Sequence, residues 1–305
     1  MGRYTKHGLH LLMIKKIFFI AMFLIVSSPL LWGESLPSEQ KDPIETAKNR
    51  LANIEERLKA IDQLKTLNDA ETIPILSQIL RDSGEPIILR AHVMEMLTRS
   101  NNQWATLELK KMLNDSSIPS ENRILALYAL WGKNPQEMRA ELVSLAQNNA
   151  ESPDIRIAAL NYLRMEKGKW PSRFWENLFL KKENPPPVRI QAMNGMKELG
   201  LITEPETVLI PIIKNPSEQI ELRKAVILIA SSMVSPEALE KALMSVLLKS
   251  ENSVEMKRLA LDNLALRPNE TLLPQLKQIL SKENDPILIE GLKTLIKSAT
   301  SKKEI

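Results

Sequence analysis

Apolar positions in this chain follow two nested periods. Within short stretches they fall three and four residues apart, the spacing of one face of an amphipathic helix. The stretches themselves return every 33 to 35 residues, each marked by one of Arg57, Arg90, Arg123, Arg156, Arg189, Arg223 and Arg258. Counting from that arginine, position +3 holds Ala60, Val93, Ala126, Ala159, Ala192 and Val226, small enough to let a neighbouring backbone come close. Position +4 holds Ile61, Met94, Leu127, Leu160, Met193 and Ile227, and position +7 holds Leu64, Leu97, Leu130, Leu163, Met196 and Ala230. A second apolar set stands upstream: Leu76, Leu109, Leu142, Trp175 and Leu209 at −14, with Ile79, Met112, Leu145, Leu178 and Ile212 at −11. Leu80, Leu113, Ala146, Phe179 and Ile213 follow at −10. Each period is therefore a first helix, a turn and a second helix, and the register predicts stacked copies of one supersecondary unit.

Proline placement marks the same divisions. Pro86, Pro119, Pro153, Pro185, Pro186, Pro187 and Pro286 stand at the starts of second helices, and Pro171, Pro205 and Pro236 at the starts of first helices. There a fixed φ and a missing N–H cost nothing. Alternating strand patterns bounded by Asn-Gly or Asp-Gly are absent. The last two units fit less cleanly: around 258 the apolar register improves with Lys257 at position zero, and Leu288 or Ile289 replaces the arginine in the final unit. Terminal repeats cap a stack and are expected to deviate. The expected organisation is a polar linker over 36–44, an all-α array of about seven helix pairs plus an N-terminal helix over 45–300, and a tail at 301–305.

The first 35 residues carry a different pattern. Met13, Ile14, Lys15 and Lys16 precede the apolar run IFFIAMFLIV, and Ser27, Ser28 and Pro29 end it. Gly33 and Ser35 supply small residues for cleavage after Ser35 or after Gly33. That is the layout of a secretory signal peptide, with Met13 an alternative start. The run is shorter than the roughly 20 residues of a spanning helix. An uncleaved leader would be the only route to a membrane. The expected location is therefore exported, periplasmic or secreted.

Composition narrows the chemistry. The chain is 44% hydrophobic and 26% charged, as ordinary folded proteins are, and its 4% aromatic content suits helix pairs filled with Leu, Ile, Ala and Met. Its excess of basic residues lies wholly in the leader: beyond Gly33, 37 basic residues face 37 acidic ones. A neutral body offers no net field for a phosphate backbone, so no nucleic-acid partner is expected. With no cysteine there are no disulfides, thiol chemistry, sulfur ligands or lipobox anchor. His92 is the only histidine outside the leader, which removes histidine triads and His-rich zinc sites. No glycine-rich phosphate loop appears. No catalytic residue, metal or cofactor is expected.

The paired helices, with Asp or Asn near the turn and Arg-x-x-Ala plus Leu opening the second helix, resemble the HEAT repeat. The resemblance is closest to the short HEAT-like repeats of phycobilisome-lyase-type proteins and covers about residues 45–300. It implies a right-handed α-α superhelix, an α-solenoid. It also implies an acid–arginine ladder along the stack. The polar residues eight before the arginines are Asn49, Asp82, Asp115, Asn148 and Asn215, with Lys181 as the break. An arginine early in a helix opposes the dipole, so each of Arg57, Arg90, Arg123, Arg156, Arg189 and Arg223 is expected to reach back to the last carbonyls of its first helix. Arg90 is expected to contact Asp82, and Arg123 to contact Asp115.

Aromatic placement supplies the candidate surface. All eight aromatics beyond the leader lie between Trp104 and Phe179. Trp175 and Phe179 occupy core positions, and Trp104 and Trp170 stand at first-helix starts. Tyr128 and Trp131 fall at +5 and +8 of a second helix, off its apolar face. The equivalent positions of the next units are Asn161 and Arg164, then Asn194 and Lys197. Aromatics among polar and basic residues suit a protein-contact patch, though rings at such positions also cover helix seams. The expectation is a non-catalytic scaffold or assembly factor of the bacterial cell envelope that holds another envelope protein on its concave face. The resembled group includes bilin lyases, so a lyase-like or cofactor-handling role is the alternative.

Overall fold

The computed structural model of the chain describes residues 42–301, apart from 68, 101 and 166–170. The leader, most of the linker, Trp170 and the tail beyond Ser301 lie outside the described residues. Everything described is helix or turn, because each unit repeats the same 3.6-residue apolar stripe between breakers. In chain order the helices are α1 (Pro43–Lys48), α2 (Ile54–Gln63), α3 (Asp69–Arg81), α4 (Ile87–Arg99), α5 (Gln103–Asn114) and α6 (Ser120–Lys133). They continue as α7 (Pro135–Gln147), α8 (Pro153–Met165), α9 (Ser172–Leu180), α10 (Pro186–Glu198), α11 (Pro205–Lys214) and α12 (Ile220–Met233). The last four are α13 (Pro236–Leu248), α14 (Val254–Ala265), α15 (Leu273–Leu280) and α16 (Pro286–Ser301).

Odd and even helices pack as pairs, and the pairs stack in sequence order. The even-numbered second helices touch one another without interruption from α2 to α16. First helices meet as closely at α1–α3, α3–α5 and α11–α13, so the second-helix layer is the tighter of the two. Between the layers runs one continuous apolar seam. Every residue singled out at −14, −11, −10, +3, +4 and +7 is buried in it. Each buried Leu, Ile or Met side chain contributes about 1.5–3 kcal/mol relative to exposure.

The predicted punctuation is in place. Pro86, Pro119, Pro171 and Pro185 cap α4, α6, α9 and α10, while Pro205 and Pro236 occupy the first turns of α11 and α13. Gly200 alone among the described residues has a positive φ, +67°. It ends α10, with the Leu201 N–H donating to Met196 O at 2.8 Å, a closure that favours glycine. Among the described residues no helix is long and apolar enough to cross a membrane.

Candidate functional site

Six of the recurring arginines, Arg57 to Arg223, are buried, and all but one of the six use the same anchor. Nε of Arg57 donates to Ala47 O at 3.0 Å, that of Arg123 to Leu113 O at 2.7 Å, and that of Arg156 to Ala146 O at 3.0 Å. Arg189 donates to Phe179 O at 2.7 Å and Arg223 to Ile213 O at 3.1 Å. Each acceptor is the penultimate residue of a first helix, whose carbonyl has no partner within that helix. Arg90 departs and donates instead to Glu85 O at 3.2 Å.

The fork of each guanidinium then reaches forward into the next unit. Arg57 meets Glu85 at 2.7 and 2.9 Å, Arg123 meets Glu151 at 2.9 and 2.6 Å, and Arg189 meets Glu218 at 2.7 and 3.0 Å, each bidentate. Arg156 donates to Asn184 Oδ1 at 2.6 Å and Arg223 to Asn252 Oδ1 at 2.7 Å. Those two amides in turn donate to Leu178 O at 2.8 Å and Val246 O at 2.9 Å, on α9 and α13. Arg90 bonds Asn122 Oδ1, with the exposed Glu121 at 3.3 Å.

The expected contacts of Arg90 with Asp82 and of Arg123 with Asp115 are thus corrected. Asp82 and Asp115 close their own turns, accepting from the Gly84 N–H at 2.8 Å and the Ser117 N–H at 3.0 Å. Asn49, Asn148 and Asn215 do the same for the N–H groups of Leu51, Ala150 and Ser217. A short side chain at a helix end reaches the N–H two residues on. The guanidinium, anchored two residues earlier in every unit but that of Arg90, extends past it. Arg258 also leaves the ladder, being exposed, and Asn252 falls in register with Lys257.

The acceptors register their partners electrostatically. The hydrogen bond from Arg57 holds the Glu85 carboxyl below its ordinary pKa against the opposing effect of burial, and Arg50 adds its charge. Burial would raise Glu218, but Arg189, the Gln219 N–H and the charge of Lys182 outweigh it and lower the pKa. Burial lowers the pKa of Arg156 and of Arg223. Removing one partner of such a buried pair costs about 3–5 kcal/mol.

On the outer side of the second-helix layer the candidate residues fall side by side. Tyr128 and Trp131 lie on α6, Asn161 and Arg164 on α8, and Asn194 and Lys197 on α10, three helices in contact. Tyr128 is 40% exposed, whereas Trp131 is half-buried against the core. The two rings are joined by a third that the sequence reading passed over, Tyr162 of α8. Its centroid lies 5.4 Å from Trp131, tilted 33°, and 6.4 Å from Tyr128, tilted 55°. Tilted contacts of this kind are worth about 0.5–1.5 kcal/mol beyond burial. Burial, and then Tyr128, push the Tyr162 phenol pKa well up. Tyr162 stands at +6, and adjacency of +5 and +8 in one unit to +6 in the next was the available signal.

The polar members tie neighbouring helices together. Gln191 Nε2 donates to Asn161 Oδ1 at 2.5 Å, Arg164 pairs with Glu198 at 2.8 Å, and Lys197 Nζ donates to Ser232 Oγ at 3.3 Å. Farther along, Lys133 Nζ donates to Leu97 O at 3.1 Å and to Ser100 O at the end of α4, and burial lowers its pKa. His92 Nε2 lies 3.0 Å from Asp62 Oδ1, which Lys65 also approaches at 2.7 Å. Among the described residues no three His, Cys, Asp or Glu side chains group closely enough to hold a metal ion.

Neither a family model nor a curated protein matches this chain. Solved structures to which the chain is similar include two of low identity. One is human deoxyhypusine hydroxylase in complex with glycerol, 16% identical, aligned over 85% of this chain and 95% of that one with a TM-score of 0.35. The other is the Escherichia coli protein YibA, 18% identical, aligned over 81% of this chain and 98% of that one with a TM-score of 0.44.

Proposed function

We propose that this chain is a HEAT-like repeat protein, wound as a right-handed α-α superhelix, that is exported and serves as a non-catalytic scaffold or assembly factor of the bacterial cell envelope. Its partner is another envelope protein, seated on the second-helix face. The tighter packing of the second helices supports placing that face on the inside of the curve. The single observation that carries the reading is the three-ring cluster of Tyr128, Trp131 and Tyr162. It presents a partly exposed, rigid aromatic anchor in the middle of a row of hydrogen-bonding side chains, the composition of an interface hot spot.

The test places a photo-crosslinking residue at Asn194, on the helix next to the one that carries Tyr162, and compares the native face with the double variant Tyr128→Ala, Trp131→Ala. One specific envelope protein should crosslink to the native face and be lost with both rings, while circular dichroism still reports the helical array. Capture that persists without the rings would refute the assignment.

A further inference from the structure

Placed in chain order, the forward contacts of the six ladder arginines alternate in kind. Carboxylates receive Arg57, Arg123 and Arg189, as Glu85, Glu151 and Glu218. Between them, amides receive Arg90, Arg156 and Arg223, as Asn122, Asn184 and Asn252. We infer that the array contains three acid-sensitive joints, at the carboxylate rungs, separating four-helix blocks held internally by rungs that do not titrate. The blocks are α3–α6, α7–α10 and α11–α14.

The chemistry follows from the acceptors. An ionised carboxylate takes both N–H groups of a guanidinium fork, and the bond is charge-assisted. Protonation removes the charge and turns one oxygen into a donor facing another donor, leaving a buried guanidinium without its counter-charge. An amide acceptor presents the same oxygen at every pH. The groups facing each carboxylate are cationic. Glu85 sees Arg57 and, at 3.3 Å, Arg50, which also pairs with Asp82. Glu151 sees Arg123, and Glu218 sees Arg189 with Lys182 and Arg223 nearby. At the Arg90 rung Glu121 adds an exposed carboxylate, but the buried Asn122 oxygen stays when Glu121 is protonated.

The sign is fixed by linkage. Glu85 and Glu218 have folded pKa values below their ordinary ones, so their contribution is present above the ordinary carboxylate pKa. It is lost as pH falls through the lower folded value.

The test is hydrogen exchange read helix by helix on the full chain, corrected for intrinsic rates, between about pH 7 and about pH 3. Protection should fall by about tenfold or more at α2–α4, α6–α8 and α10–α12 contacts before it falls inside the amide-bridged blocks. Two variants make the joints specific. Glu218→Gln should remove the acid step at the α10–α12 junction and leave the other two. Asn184→Asp should create a step at the α8–α10 junction, where the native rung is an amide. Acid loosening that spreads evenly over all junctions, or an α10–α12 step that survives Glu218→Gln, would overturn the inference.

Discussion

Replacing Gly195 with alanine should destabilise this protein, although the same change in an exposed helix interior usually stabilises it by about 1 kcal/mol. Gly195 lies within α10, facing the fully buried Trp175 of α9. A Cβ on it would stand 2.4 Å from Cζ3, 2.7 Å from Cε3 and 2.9 Å from Cη2 of that ring. The indole cannot swing away, since it is packed on every side and meets Phe174 edge-on at 5.3 Å. Overpacking of this kind costs about 1–3 kcal/mol, and a contact this short belongs at the upper end. After the helix-propensity gain, the net loss should be about 1–2 kcal/mol.

The indole offers a way to isolate the clash. Among the described residues Trp175 Nε1 has no hydrogen-bond partner, so Trp175→Phe forfeits no bond to them and loses only packing. A smaller ring makes room for the methyl, and the double variant should be less destabilised than the two single losses added, by about 1 kcal/mol or more. Guanidinium chloride unfolding followed by helical circular dichroism measures all four proteins, provided the m values agree. A stabilising Gly195→Ala, or single effects that simply add, would refute the packing argument.

Two further predictions rest on single side chains. Lys133→Met should cost about 1–2 kcal/mol in the same assay, because the ammonium group is the donor for the carbonyls that end α4. Protection should be lost at the end of α4 and not in α10. Tyr162 has a raised phenol pKa, so its stabilising contribution holds below the ordinary value of about 10 and declines as pH climbs past it. Ultraviolet titration should show a tyrosine that ionises together with unfolding, a feature absent from Tyr162→Phe.

Much of the fold was legible because a helix that buries one face must repeat that face. The apolar positions counted from the arginines are the seam, residue for residue, and the prolines mark helix starts. The ladder was half legible. Reaching back to the first helix follows from the unpaired carbonyls at its end, which any register of helix pairs supplies. The polar partners were misread as those of the same unit because two polar residues recur between the helices. Those at −8, such as Asp82 and Asp115, satisfy the turn itself. Those at −5, such as Glu85, Glu151, Asn184 and Glu218, take the guanidinium of the unit before. Sequence spacing shows that both recur, and side-chain reach decides between them. Ile118 fills the −5 position after Arg90, which explains why that arginine turns to Asn122 instead. Tyr162 was missed for a related reason: +6 lies in the seam between second helices, visible only once neighbouring units are side by side.

The central claim is that successive units are locked through the arginine of one and, except after Arg90, the polar residue in the −5 register of the next. A double-mutant cycle between Arg123 and Glu151, set beside one between Arg123 and Asp115, tests it most directly. The account predicts a coupling of about 1.5–3 kcal/mol for Arg123 with Glu151 and none measurable for Arg123 with Asp115. Coupling found with Asp115 and absent with Glu151 would contradict it.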